Sequence, residues 1–162
     1  MKVKLKTNVY GDPDYVAHVL RYYHIRNNNI VEVAKSQVGT TSGSKYWTWY
    51  GFNKKVNWCA IFVSWCANES GMLDDSSVPK FSLCTDGENW YKKNNRWEDK
   101  SYVPMTGNII FFDWQQDGHT DHVGIVEKVE NGKVFTIEGN SKDEVREKSY
   151  NLNSKSIYGY GV

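Results

Sequence analysis

The sequence lacks a strong excess of charge of either sign. Its 20 basic and 19 acidic residues leave a formal net charge of +1 at pH 7 over 162 residues. Proteins that bind nucleic acid or an anionic membrane surface through their electrostatic field carry a clear basic excess. We therefore expect neither of these as a partner.

Long apolar runs are also missing. No stretch approaches the ~18 consecutive apolar residues of a membrane-spanning helix, so we expect no membrane span. The basic residues 1–6 are not followed by an apolar run, which differs from the pattern of a secretory signal peptide. This predicts export by another route, delivery by a phage, or a domain excised from a longer protein.

Cysteine is scarce and odd in number, with only Cys59, Cys66 and Cys84. Three cysteines cannot form a closed set of disulfides. The CxxC spacing of a structural zinc site is absent as well. The thiols are therefore either buried side chains or include one free reactive group.

The N-terminal part of the sequence favours helices. Apolar spacing predicts helices at 30–38 and 58–70, each followed by a glycine, and a short helix near 87–93. A run of three asparagines before residue 30 is interpreted as a break. We therefore divide the chain into a short helical lead-in segment, 1–28, and a domain at 29–162.

The C-terminal third changes to strand periodicity. Alternating apolar residues between glycine turns predict four strands, at 109–114, 123–129, 134–138 and 157–162. Helices followed by an antiparallel set of strands indicate an α+β fold with the helices packed on one side of a sheet.

Four side chains could form a thiol-based catalytic site. Cys59 lies in the first turn of a predicted helix, where backbone N–H groups and the helix dipole favour a thiolate and could bind an oxyanion. His122 begins a predicted strand. Glu138 and Asn140 are two residues apart and share one face of a strand, so either could hold the His122 ring through its second nitrogen. Each residue also has an interpretation without catalysis. Cys59 would be a buried thiol, His122 an exposed histidine, and Glu138 and Asn140 polar residues on a strand edge.

The hairpin that joins these strands decides which side chains meet. A two-residue loop at Asn131 and Gly132 would pair His122 with Ser141 and turn Asn140 away. A three-residue loop at 130–132 would place His122 opposite Asn140, with Glu138 one diagonal step away. The catalytic interpretation therefore predicts the three-residue loop.

A second pattern lies just before His122. Asp113, Asp117 and Asp121 follow three positions of a calcium-binding loop, but Gly124 stands where a bidentate carboxylate is required. These aspartates are weak metal candidates. We interpret the segment as a solvated turn that delivers His122 and predict no bound metal.

Several segments taken together resemble the CHAP domain (cysteine, histidine-dependent amidohydrolase/peptidase) of the papain-like superfamily. Their order, and that of the cysteine, histidine, glutamate and asparagine within them, makes the resemblance specific. The matching segments are 33–39, 46–51, 58–66, 107–114, 121–126 and 136–141.

The resemblance implies a papain-like fold and an endolysin-like enzyme at the bacterial cell wall. Its substrate would be peptidoglycan, cut as a muramoyl-L-alanine amidase or a wall-peptide endopeptidase would cut it, without a cofactor. By position, Cys59 would be the nucleophile, His122 the general base and then acid, and Glu138 and Asn140 the orienting residues. Two alternatives stay open: another papain-like thiol amidase or acyltransferase, and an inactive wall-binding module.

Overall fold

A computed structural model describes residues 13–162, except for the side chains of residues 23–28. Within this range all four α-helices precede all six β-strands. The helices are α1 (Pro13–Ser36), α2 (Ser44–Tyr50), α3 (Cys59–Glu69) and α4 (Cys84–Lys93). The strands are β1 (Trp97–Asp99), β2 (Ile109–Phe112), β3 (His122–Glu130), β4 (Lys133–Glu138), β5 (Arg146–Asn151) and β6 (Ile157–Gly161).

The six strands form one antiparallel sheet in the order β1-β6-β2-β3-β4-β5. The predicted α+β architecture, with helices packed against an antiparallel sheet, is therefore confirmed. Strand β2 is buried along its whole length because it lies inside the sheet and has a core on each face. Strands β1 and β5 are the two edges.

The core has two parts, one on each face of the sheet. Because side chains alternate along a strand, Ile109 and Phe111 of β2 face the helices, whereas Ile110 and Phe112 face the other side. Helix α3 lies at the centre of the first part, and residues 59–67 are all buried. This explains why its sequence is apolar nearly all round rather than along one stripe.

The predictions for the nucleophile helix and for the histidine strand are confirmed at the level of secondary structure. Helix α3 ends before Gly71, whose φ of 76° is the left-handed conformation that glycine adopts most easily. His122 is the first residue of β3, as the alternating pattern predicts.

The predicted break at the three asparagines is wrong, because α1 runs through them without interruption. Asparagine costs a helix only ~0.7 kcal/mol relative to alanine, unlike proline. Burial of Ile30, Val31 and Ala34 in the core holds the C-terminal half of the helix. The division at residue 28 stays a prediction, and residues 1–12 lie outside the described residues. No helix of the described range is long and apolar enough to cross a membrane.

Three elements were not predicted from the sequence. The edge strands β1 and β5 carry charged residues, and β5 buries none of its side chains fully. Charges on edge strands discourage pairing with other chains, but they also remove the apolar pattern by which a strand is recognised. Helix α2 lies between the two predicted helices 30–38 and 58–70, where no helix was predicted, and α4 begins at Cys84, earlier than predicted.

The prediction of a three-residue loop between β3 and β4 is wrong, although the register it was meant to give is present. Asn131 and Gly132 form a two-residue turn with φ values of 51° and 73°, and Glu130 pairs with Lys133. A β-bulge at Glu127 then shifts the register by one residue, so that Ile125 pairs with Ile137. Beyond the bulge, His122 and Glu138 therefore lie on the same face.

Trp58, the residue directly before the candidate nucleophile Cys59, is anchored in the core. Its ring is fully buried, stacks on Tyr46 with centroids 5.4 Å apart, and donates a hydrogen bond from Nε1 to Asp143 (3.2 Å). Gly43 passes so close that a Cβ there would lie 2.4 Å from the indole ring. The start of α3 is thus held by a close backbone-to-ring contact.

We predict that Gly43→Ala lowers the free energy of unfolding by about 1–2 kcal/mol more than Gly132→Ala does. Both glycines have positive φ, 63° and 73°, so alanine meets a similar backbone cost at each. Only at Gly43 does the new methyl group collide with Trp58, whereas Gly132 has open space. Urea unfolding of the two variants measures the difference. Equal losses would show that Trp58 moves aside freely and does not fix the start of α3.

Candidate active site

Cys59 lies at the first position of α3, with Trp58 as the N-cap residue. The first N–H groups of a helix have no partner within the helix, and their partial positive charge favours an anion. No acidic residue stands in the first turn to compete for this position. The residue is only 7% exposed, so Cys59 is largely shielded from bulk water.

His122 connects the helix to the sheet. Its Nε2 lies 2.8 Å from Oε1 of Glu138. The ring also interacts electrostatically with the thiol of Cys59, and Nδ1 is the nitrogen that Glu138 leaves for this interaction. The side chain of His122 is only 12% exposed. The His122 ring therefore interacts with both the Cys59 thiol and the Glu138 carboxylate.

Glu138 is fully buried and holds three hydrogen bonds. Besides the His122 ring, the hydroxyl of Thr136 and the phenol of Tyr150 (2.8 Å) both donate to Oε2. Burial alone would raise the pKa of this carboxyl group, but the bonds from His122, Thr136 and Tyr150 outweigh it and lower the pKa. Glu138 is thus kept as a carboxylate with a fixed orientation.

Gly124 leaves the space that Glu138 occupies. It is two residues from His122 on the same strand face, and a Cβ there would lie 2.7 Å from Cγ of Glu138. The glycine in the segment Asp121–His122–Val123–Gly124 is therefore explained by packing of the carboxylate and not by a turn.

The protonation states of Cys59 and His122 depend on each other. The hydrogen bond from the Cys84 thiol, then the bond and positive charge of His122 and the N–H of Ala60, lower the pKa of Cys59 well below its usual value against the opposing effect of burial. Burial would lower the pKa of His122, but the bonds to Cys59 and Glu138 raise it to about 9. Both shifts favour a thiolate–imidazolium pair at neutral pH.

Cys84 is a neighbour of the site that the sequence did not reveal. It is the first residue of α4, and its Sγ lies 3.8 Å from Sγ of Cys59. The thiolate of Cys59, followed by burial, raises the pKa of Cys84, so Cys84 keeps its proton and donates it. The odd cysteine count was the one available signal, because the two residues are 25 positions apart.

Helix α4 also braces the segment that leads to His122. Glu88, one turn after Cys84, is buried and accepts hydrogen bonds from Thr120 Oγ1 (2.8 Å) and from Lys92 (2.6 Å). Helix α4 therefore contacts the thiol through its first residue and the histidine segment through its second turn.

Asn140 is placed differently from the other three predicted residues. It follows the end of β4 with a φ of 58° and is half-buried. In the part of the chain that the structure describes, its amide makes no hydrogen bond with His122. The structure therefore brings Cys59, His122 and Glu138 together and leaves Asn140 beside them.

The three aspartates before His122 hold their own loop. Asp113 accepts the backbone N–H groups of Asp117 (3.2 Å) and Gly118 (2.8 Å), and Asp121 accepts that of Trp114 (3.1 Å). Within residues 13–162, no group of three histidine, cysteine or acidic side chains is placed to hold a metal ion. The carboxylates are thus already used to shape the turn that ends at His122.

Trp114 forms an open aromatic wall next to the histidine. Its ring stacks on Phe112 with centroids 4.7 Å apart and lies 6.0 Å from the His122 ring. The residue is 40% exposed, and the ammonium of Lys148 lies 5.7 Å from its ring. A flat apolar face and a cation are therefore available beside the imidazole.

Solved structures with a similar fold include "The crystal structure of Ly7917" and "The crystal structure of Ly7917 with the hydrolyzing product of MDP". The TM-scores are 0.52 and 0.54, and the sequence identities are 19% and 20%. Each alignment covers 83% of this chain, which spans 60% and 61% of the two matched chains. A comparison with curated proteins found no match.

A family model for the CHAP domain matches residues 49–140, which is more than half of the chain. The matched range begins in α2 and ends just after β4, so it contains Cys59, His122 and Glu138. CHAP domains are papain-like cysteine- and histidine-dependent amidohydrolases, and the match therefore supports a hydrolase. The chain belongs to the CHAP domain family.

Proposed function

We propose that this chain is a cysteine-dependent hydrolase that cleaves an amide bond of bacterial peptidoglycan, as a muramoyl-L-alanine amidase or a wall-peptide endopeptidase. The observation that carries the proposal is the series Cys59–His122–Glu138 inside a CHAP domain, in which the imidazole interacts with the thiol and hydrogen-bonds to the carboxylate. The substrate class is supported by the family and by the neighbour that was solved with a hydrolysis product of MDP. The site of action would be the cell wall.

The first half of the reaction follows from the thiolate at the start of α3. Sγ of Cys59 attacks the carbonyl carbon of the amide, and the oxygen takes up negative charge. The N–H groups at the start of the helix are the donors that stabilise this oxyanion. His122 then gives the proton on Nδ1 to the leaving nitrogen, the C–N bond breaks, and a thioester to Cys59 remains.

In the second half of the reaction His122 acts first as a base instead of an acid. His122 is now neutral at Nδ1 and takes a proton from water as the water oxygen attacks the thioester carbon. The tetrahedral intermediate collapses, the C–S bond breaks, and the carboxylic acid leaves. The proton on His122 again neutralises the thiolate of Cys59, and Glu138 holds the ring in the same orientation throughout.

Glu138 is the orienting residue in this proposal, and Asn140 has no direct part. A carboxylate at 2.8 Å from Nε2 both fixes the ring and stabilises its positive charge. The intact and mutually bonded set opposes the alternative of an inactive wall-binding module. Another thiol amidase or acyltransferase would use the same three groups, and the substrate assay below distinguishes it.

Trp114 and Lys148 are proposed to contact the substrate. An exposed indole face suits the apolar face of a sugar ring or a peptide side chain. The ammonium group 5.7 Å from the indole ring suits the carboxylates of wall peptides. Both lie on the His122 side of the site, where the leaving amine would depart.

We predict that Cys59→Ala lowers peptidoglycan cleavage by at least ~10³-fold, because the proposed thioester forms on Cys59. Release of new amines and loss of turbidity of purified cell walls measure the activity, and mass analysis of the fragments identifies the bond. Cys66→Ala is the matched control, because Cys66 is buried on the same helix but is not part of the series Cys59–His122–Glu138. It should cleave walls like the wild type.

Two other outcomes would contradict parts of the proposed function. Wall cleavage that survives in Cys59→Ala would remove Cys59 as the nucleophile. A wild-type protein that leaves walls from several bacterial types intact, yet has a Cys59 that alkylates rapidly, would contradict the peptidoglycan proposal and favour another thiol enzyme.

We predict a bell-shaped pH dependence of kcat/KM with its basic limb near 9, the pKa of His122. As the pH rises through this value, His122 loses the proton that the leaving amine needs. On the acidic side, activity falls where the Cys59 thiolate takes up a proton. Glu138→Gln removes the charge that stabilises the imidazolium, so the basic limb should move to lower pH and kcat/KM should fall by ~10²–10⁴.

Asn140→Gly is the control for this experiment, because glycine keeps the positive φ of 58° while the amide is removed. Its pH profile should match the wild type, with kcat/KM within a few-fold. A larger loss in Asn140→Gly than in Glu138→Gln would contradict the assignment and make Asn140 the orienting residue.

A further inference from the structure

The candidate active site contains two cysteine thiols, those of Cys59 and Cys84, that lie close together. Sγ of Cys59 and Sγ of Cys84 are 3.8 Å apart, and each belongs to the first residue of a helix. We propose that they form a redox site, in which a hydroperoxide oxidises Cys59 and Cys84 then closes a reversible disulfide. The proposal goes beyond wall cleavage and rests on the proposed function only in taking Cys59 as the reactive thiolate.

The closeness of the two thiols is built into the fold. Cys59 directly follows the buried Trp58. Cys84 lies one helical turn before Glu88, which accepts a hydrogen bond from Thr120. A disulfide has an S–S distance of about 2.05 Å. The sulfurs must therefore approach by less than 2 Å to bond.

The first step is oxidation of Cys59. Its thiolate attacks one oxygen of the hydroperoxide, an S–O bond forms and the O–O bond breaks. The departing hydroxide or alkoxide takes the proton from His122 and leaves as water or alcohol. Cys59 is now a neutral sulfenic acid, and His122 is a neutral imidazole.

The second step is enabled by the first. The thiolate of Cys59 is the main cause of the raised pKa of Cys84. Once that negative charge is gone, Cys84 can give its proton to the neutral His122. The Cys84 thiolate attacks the sulfur of Cys59, an S–S bond forms, and the S–O bond breaks as hydroxide leaves with the proton from His122.

The disulfide would have two consequences. The nucleophile is blocked, so wall cleavage stops until a thiol reductant opens the bond. The sulfur of Cys59 is also protected from irreversible oxidation to the sulfinic and sulfonic acids. Cys66 takes no part, because it is fully buried and burial raises its pKa well above the usual value.

The test compares the wild type with Cys84→Ser after exposure of both to hydrogen peroxide. Non-reducing intact-mass and peptide analysis is the readout, so the result does not depend on wall cleavage. The wild type should lose two hydrogens and yield a peptide that joins Cys59 to Cys84. Its complete loss of activity should be reversed by dithiothreitol. Cys84→Ser should instead gain two or three oxygens on Cys59, with no recovery.

A second measurement needs no variant and guards against a folding defect in Cys84→Ser. The wild type is equilibrated with mixtures of reduced and oxidised glutathione, and the cross-linked fraction is followed. Formation of the internal disulfide as the oxidised fraction rises supports the proposal. A mixed disulfide of glutathione with Cys59 that persists without the cross-link, or over-oxidation of Cys59 to the sulfinic acid to the same extent in both proteins, overturns it. A cross-link without any wall cleavage would overturn only the proposed substrate.

Discussion

The buried hydrogen bond between His122 and Glu138 is the interaction on which the rest of the site depends. It fixes the orientation of the ring, leaves Nδ1 as the nitrogen for Cys59, and helps to raise the pKa of the imidazole. A carboxylate with no exposed surface is costly unless all its acceptor positions are used. This explains why Thr136 and Tyr150 both donate to Glu138 and why Gly124 leaves room for it.

The two halves of the chain supply different parts of the chemistry. The helical half brings a thiol to a helix start, where the local field favours the anion, and Trp58 holds that start in the core. The sheet half brings the imidazole of His122 and the carboxylate of Glu138 on adjacent strands. Helix α4 contacts both, through Cys84 beside Cys59 and through Glu88 near the histidine segment. The reactive pair thus forms only when the helices dock on the sheet.

The sequence predicted the parts of this site that depend on local chemistry. A cysteine in the first turn of an apolar helix, a histidine at a strand start and a glutamate on the next strand can each be recognised from neighbouring residues. The hairpin shows the limit, because the predicted loop was wrong while the register at the site was right. The bulge at Glu127 compensates for the two-residue turn, and a bulge leaves no apolar pattern to recognise. Cys84 was missed because only tertiary packing brings it to Cys59.

The central claim is that Cys59 and His122 form a thiolate–imidazolium pair at neutral pH. NMR titration of the His122 ring nitrogens tests it most directly, in the wild type and in Cys59→Ala. The account predicts that both nitrogens carry protons at neutral pH, with a pKa of about 9 that falls when the thiolate is removed. A neutral imidazole at neutral pH in the wild type, with no change in Cys59→Ala, would contradict it.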